Sequence, residues 1–238
     1  MSNQKISTAV ILAAGRGTRL GDRTKEMPKG FLEVGGETLI ERSIRLLKAN
    51  GIEKIIVGVG HKGTAYEDIA EQYGLIIYYN DEYSTTESLY TLVCANPHVE
   101  GDFLLLESDL LYDVSALETI LSSEQNNVIL GSGFTDSGDE VYLHAFESGD
   151  FRYLSQDGND KINSYAELVG ICKVSLDLYK KMIALPTIKK MKYEYAFNVL
   201  APKEDIVVEK QSDLVWCEID DEDHLNRALT QVLPRLSN

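Results

Sequence analysis

The sequence predicts an α/β protein with a mostly parallel mixed sheet, and three observations carry that prediction. Apolar runs of strand length recur at Ala9 to Ala14, Lys54 to Gly60, Leu75 to Tyr79 and Phe103 to Ser108. Between them, Thr38 to Asn50 and Thr64 to Tyr73 carry helical periodicity, the alternation of βαβ units. After Asp113 the rhythm changes to shorter runs and polar turns, which adds an antiparallel part.

Each element has its own local reason. The helix from Thr38 puts Leu39, Ile40, Ser43, Leu46 and Leu47 near one face and stops at Asn50-Gly51, a left-handed ending. Val128 to Gly133, Val141 to Glu147 and Arg152 to Leu154 read as strands separated by the turns TDSGDE and SQDGND. Ala166 to Val174 is a buried strand, Asp177 to Leu185 and Met191 to Leu200 are helices, and Val215 to Ile219 is a last strand before a helix that begins in the acidic run Asp220 to Asp223. With no internal repeat and no linker-like tract, the expected organisation is one domain over 1–238, with a first half to about 112 and a second half from about 113.

Composition narrows the function. Lys+Arg number 23 against 38 Asp+Glu, a formal net charge of −15 that repels nucleic acid and anionic membrane surfaces at long range. A small anion can still bind at a local cluster such as Arg19, Lys25 and Lys29. The opening MSNQKIS has no apolar leader core and the first apolar run is broken by glycine, so a cytoplasmic protein without signal peptide or membrane span is expected. Cys94, Cys172 and Cys217 are odd in number and widely spaced, the pattern of buried reduced thiols.

The most informative stretch is LAAGRGTRL, Leu12 to Leu20, followed by MPKGFL, Met27 to Leu32. Gly15 and Gly17 let the backbone turn its N–H groups onto an anion, while Arg19 adds a planar fork and Lys29 a movable charge. The dinucleotide fingerprint needs glycine where Leu20 stands, and the P-loop ending Gly-Lys-Ser/Thr is absent.

Leu12, Ala13, Ala14, Gly15, Gly17, Thr18, Arg19, Leu20, Pro28 and Lys29 instead resemble, without a break, the signature of nucleotidyltransferases that activate sugar phosphates and small phosphorylated alcohols. The resemblance implies a Rossmann-like three-layer α/β/α half that binds nucleotide and a smaller mixed β half that binds acceptor, as in many nucleotide-sugar glycosyltransferases. It implies that residues 12–15, 17, 18 and 19 hold the nucleotide, that Arg19 and Lys29 are catalytic, and that Asp109 and Asp220 hold Mg²⁺. Asp109 ends the strand FLLLESDL, at the sheet edge where α/β proteins bind ligands, although a helix cap would also use it. Asp221, Glu222 and Asp223 are first-turn acids that suit a helix dipole. Base recognition is expected from Thr86, Glu87 and Ser88 in NDEYSTTESLYTL, which reads equally as a capping sequence with Leu89, Leu92 and Val93 buried behind it.

The length, the EID ending and the NDEYS to SLYTL segment are similar to the small cytidylyltransferases for 2-aminoethylphosphonate or phosphocholine. Tyr142, Tyr165, Tyr193 and Tyr195 are the aromatic faces available to a quaternary ammonium, and Glu140, Glu167, Glu194 and Glu218 the carboxylates available to a primary one. Glu167, Tyr193, Glu194, Tyr195 and Glu218 are the acceptor-binding expectation, with 2-aminoethylphosphonate preferred and CTP as donor. A sugar-1-phosphate enzyme using UTP or dTTP, or a nucleotide-binding regulatory module without turnover, are the alternatives. No His-centred constellation is evident, with His61 in GVGHKG the one to follow. A homodimer, or fusion to an aminotransferase domain, is compatible with the chain.

Overall fold

The computed structural model describes residues 5–237. Residues 1–4, part of the leader reading, lie outside the described residues. In chain order the elements are β1 (Thr8–Ala13), β2 (Glu33–Val34), β3 (Glu37–Thr38), α1 (Leu39–Ala49), β4 (Lys54–Val59), α2 (Thr64–Tyr73), β5 (Leu75–Tyr79), α3 (Ser88–Cys94), β6 (Phe103–Glu107), β7 (Leu110–Tyr112), α4 (Ser115–Ser122), β8 (Val128–Ser132), β9 (Tyr142–Ala145), β10 (Phe151–Ser155), β11 (Ala166–Val174), α5 (Leu176–Ile183), α6 (Tyr193–Leu200), β12 (Val207–Gln211), β13 (Trp216–Glu218) and α7 (Glu222–Arg227).

The main sheet runs β10-β9-β11-β6-β1-β4-β5, with β8 on the other edge of β11 and β12 beside β8. β6, β1, β4 and β5 are parallel, and β11 is antiparallel to β6, β8 and β9. The chain leaves β1 to one side through β4 and later returns on the other as β6. Neighbouring connections diverge there, and a crevice opens at the C-terminal ends of β1 and β6. In β11, Gly170 has φ +85° and lies in a register shift against β8.

Alternation in β1 sends Val10 and Leu12 to one face and Ala9, Ile11 and Ala13 to the other. The first face packs on Leu89, Leu92, Leu178 and Phe197 of α3, α5 and α6. The second packs on Ile40, Ile44 and Leu47 of α1, Tyr66 of α2 and Leu117 of α4. This makes three layers, with strands buried on both sides.

Several elements depart from expectation. The hairpin β2/β3, strand β7 paired to β13, helix α4 and strand β12 were not predicted. β2, β3 and β7 are two or three residues long, too short to show a period, and β12 is a sheet edge whose side chains are mostly half-buried. Val93 is only half-buried, and Thr91 takes the buried position on α3. Asp221 is not a first-turn acid but the cap of α7, its carboxylate accepting from the His224 N–H at 2.9 Å.

Helix α1 starts in a capping box, in which the Thr38 hydroxyl accepts from the Glu41 N–H at 3.3 Å and the Glu41 carboxylate accepts back from Thr38. Thr38→Ala is expected to lower the unfolding free energy by about 1 kcal/mol in a urea titration, because the Glu41 N–H loses its acceptor.

Candidate active site

The site begins where β1 runs out. The Ser108 N–H donates to the Leu12 carbonyl at 3.2 Å and the His61 N–H to the Ala14 carbonyl at 3.3 Å, which fixes the strand ends around the turn. Gly17 is left-handed, and its carbonyl accepts from the Thr24 hydroxyl at 2.8 Å and from the Leu20 N–H at 3.0 Å. A Cβ there would stand 3.0 Å from Thr24 Cγ2 and 3.4 Å from Lys29 Cβ, so this glycine lets the loop lie against Lys29. Gly15 has open space where its side chain would be. Pro28 is extended, and Lys29 follows in a short 3-10 turn that carries its ammonium inward to 8% exposure.

A cavity of about 450 Å³ opens at this end of the sheet. Its lining includes Leu12, Ala13, Ala14, Gly15, Arg19 and Lys29, then Thr86, Glu87 and Ser88, and the carboxylates of Asp109, Asp220, Glu218, Glu167 and Glu194. Five sequence expectations fall outside that wall. Gly17 shapes the loop from behind, exposed Thr18 starts the following turn, and Lys25 pairs with Asp22 at 2.5 Å in solvent. Tyr193 is fully buried in the core, while the Tyr195 hydroxyl donates to Gln156 at 3.3 Å. The reason is helical: successive residues turn by about 100°, so with Glu194 facing the cavity its two neighbours cannot. Tyr142 and Tyr165 are also absent from the lining, and Tyr83 and Trp216 are the aromatic residues present.

The sequence reading missed Asp139, Lys192, Arg227, Tyr83 and Trp216 as lining residues, and gave Glu107 no role of its own. Glu107 follows the rule that singled out Asp109, a carboxylate at a parallel strand's C-terminal end. Asp139 lies in a loop whose approach no local pattern encodes. His61 stays outside the lining, its Nε2 3.0 Å from the Thr24 carbonyl. His224 instead reaches the site's edge, with Nε2 3.6 Å from Asp139 and Nδ1 accepting from the Asp220 N–H at 3.3 Å.

Electrostatics organise the interior. The lining carries nine carboxylates against four cationic side chains. Lys29 Nζ donates to both Asp109 and Asp220 and lies 3.8 Å from Glu218, while Arg19 pairs with Asp220 and, at 3.3 Å, with Asp139. Burial alone would lower the Lys29 pKa, but Asp109, Glu218 and Asp220 hold it above its ordinary value. Burial alone would raise Asp220, yet Lys29 and Arg19 outweigh it and hold the carboxyl at about 2. Deeper in, burial and then Asp109 push Glu107 well up, burial raises Glu194, and burial raises Glu167 to about 7 against its bonds from Thr135. Asp109 Oδ1 and Glu194 Oε2 are buried with no hydrogen-bond partner among the described residues. Two sets of donors lie close enough to share a cation, Glu107 with Asp109 and Glu218, and Asp139 with Asp220 and His224.

A glycine turn backed by Arg19 and Lys29, facing paired aspartates, is an arrangement for handling phosphates beside a metal. Residues 9–142 match the family described as the MobA-like NTP transferase domain. The chain belongs to that family. Among curated relatives in the wider group, choline-phosphate cytidylyltransferase of Streptococcus pneumoniae is 34% identical over 104 residues, 44% of this chain and 45% of that protein. The match therefore spans less than half of that relative's length. 2-Aminoethylphosphonate cytidylyltransferase of Lancefieldella rimae is 27% identical over 183 residues, 76% of this chain and 72% of that protein. The solved inositol-1-phosphate CTP transferase of T. maritima superposes with TM-score 0.82 at 18% identity, over 98% of this chain and 99% of that one, which establishes the family's fold. No helix among the described residues is long and apolar enough to cross a membrane.

Removing the ammonium leaves Asp109 and Asp220 without their shared cation. Lys29→Met is expected to cost about 3–5 kcal/mol of stability at pH 7.5 in EDTA, read by urea unfolding. The sign follows from Asp220: its pKa is depressed in the folded protein, so the pair stabilises above the unfolded value near 3.8 and fades as pH falls toward about 2. The variant's deficit therefore shrinks as the pH is lowered through the carboxylate range and Asp220 protonates.

Proposed function

We propose that this chain is a cytidylyltransferase: it transfers CMP from CTP to a small amine-bearing phosphonate or phosphate monoester and releases pyrophosphate. The carrying observation is Lys29 between Asp109 and Asp220 beside the glycine turn. Mg²⁺ suits the donors present, since the groups are hard carboxylate oxygens and Asp109 Oδ1 is buried without a partner. Asp109 and Asp220 would hold that ion, which when bound supplies charge neutralisation at the triphosphate and the acceptor.

The chain's own residues do the rest. The turn at Ala13 to Gly15 presents backbone N–H groups to the triphosphate, with Arg19 above it. Lys29 Nζ, in the wall of the same cavity, would stabilise the α-phosphate, where negative charge builds. An oxygen lone pair of the acceptor forms the new P–O bond, and the bond to the bridging oxygen of pyrophosphate breaks. The acceptor oxygen is already ionised, so no general base is needed. Thr86, Glu87 and Ser88 stand where they could read the cytosine edge.

Glu194, Glu167 and Glu218 supply the amine end. The cavity offers carboxylates in number and few aromatic faces, which supports a primary ammonium over a quaternary one. The likeness to a 2-aminoethylphosphonate enzyme over three quarters of the chain supports the same choice. CTP and such an acceptor as substrates fit a cytoplasmic enzyme.

Pyrophosphate release from CTP and Mg²⁺ is expected with 2-aminoethylphosphonate, more weakly with phosphocholine, and not with glucose-1-phosphate. Lys29→Ala and Asp109→Asn should each slow turnover by about 100-fold or more. Near wild-type rates in either variant would refute the mechanism. Turnover with hexose phosphates and UTP would make this a sugar-phosphate enzyme, and CTP binding without turnover would make it a regulatory module. For the amine end, Glu194→Gln should raise the KM for 2-aminoethylphosphonate about tenfold and leave the KM for CTP unchanged.

A further inference from the structure

Three of the four cationic side chains in the cavity wall already face carboxylates. Arg19 meets Asp139 and Asp220, Lys29 meets Asp109 and Asp220, and Lys192 lies 3.9 Å from Glu194. Arg227 lines the same cavity and makes no ion pair among the described residues. The carboxylate it stabilises, Glu167, is already engaged, accepting from the Thr135 N–H at 2.6 Å and the Thr135 hydroxyl at 2.7 Å. A guanidinium half-buried in the wall, with no carboxylate in close ion-pair contact among the described residues, has donors open to an anion from solution.

Its position selects which anion. Arg227 lies one turn beyond His224 on α7, so the two share a face. His224 directs that face toward Asp139, and the charge of Arg227 is felt at Cys217 of β13 and Glu167 of β11. β11 lies two strands from β1, with β6 between, about 10 Å at ordinary strand spacing. Arg227 therefore lies among the lining residues contributed by β11 and β13.

We propose that Arg227 binds the phosphonate or phosphate group of the acceptor, forming an anion subsite on the β11 and β13 side of the cavity. The planar fork takes two oxygens of that group and leaves the third toward the α-phosphorus. This rests on the nucleotidyl-transfer reading only in requiring an anionic acceptor, and it holds whatever the acceptor's other end carries.

The test is calorimetric binding of methylphosphonate to the protein with Mg²⁺ and α,β-methylene-CTP, which binds without reacting. Wild type should bind methylphosphonate, Arg227→Gln should weaken it about tenfold or more, and Arg227→Lys should recover part of the loss. Affinity for the nucleotide analogue should be equal in all three, and steady-state assays should show a raised acceptor KM beside an unchanged CTP KM. Equal methylphosphonate affinity in wild type and Arg227→Gln, or none in wild type, would overturn the subsite. Loss of nucleotide affinity instead would overturn it too, by assigning Arg227 to the triphosphate. Failure of the broader reading looks different: no pyrophosphate from any acceptor, while methylphosphonate binding still depends on Arg227.

Discussion

The ammonium of Lys29, withdrawn from water between Asp109 and Asp220, is the constraint on which the site depends. Three segments far apart in the chain meet there: the turn after Pro28, the end of β6 and the end of β13. The Ile219 N–H donates to the Asp109 carbonyl at 3.1 Å, so the two strand ends that carry the aspartates are pinned by the backbone as well as by charge. Two carboxylates held this close need a cation between them, whether lysine or metal. In the proposed reaction a divalent ion would be held by Asp109 and Asp220, in the place the ammonium takes here.

The fold supplies the place for this exchange. β1 opens the crevice because β4 and β6 flank it from opposite directions of the chain, and the glycine turn uses the opening. β11 then closes the far side. Its Gly170, at φ +85°, lies where a side chain would stand 3.3 Å from Glu107 Oε2, so a glycine there lets the strand pass close to the half-buried Glu107 carboxylate. The result is an acidic bowl with nine carboxylates and four cationic side chains in its lining.

Much of this was legible from residues alone, where one local rule sufficed. β5, α2 and β11 fall where the periodicity placed them, and the glycine turn with Lys29 is written contiguously in the sequence. Asp109 and Asp220 were legible as strand-end carboxylates. Other features were not, because they depend on tertiary approach. Asp139 comes from a loop, Arg227 from a helix face that its short amphipathic pattern does not orient, and Tyr83 from a segment folded against Gly60. Tyr193 and Tyr195 lie outside the cavity lining although Glu194 between them is in it, because a helix turns neighbours apart.

The most direct measurement is a crystal structure with Mg²⁺ and a non-hydrolysable CTP analogue. The account predicts an ion on Asp109 and Asp220, the triphosphate along the turn from Ala13 to Gly15, and Lys29 Nζ moved from the aspartates to the α-phosphate. Nucleotide bound elsewhere, with Lys29 still bridging Asp109 and Asp220, would contradict it.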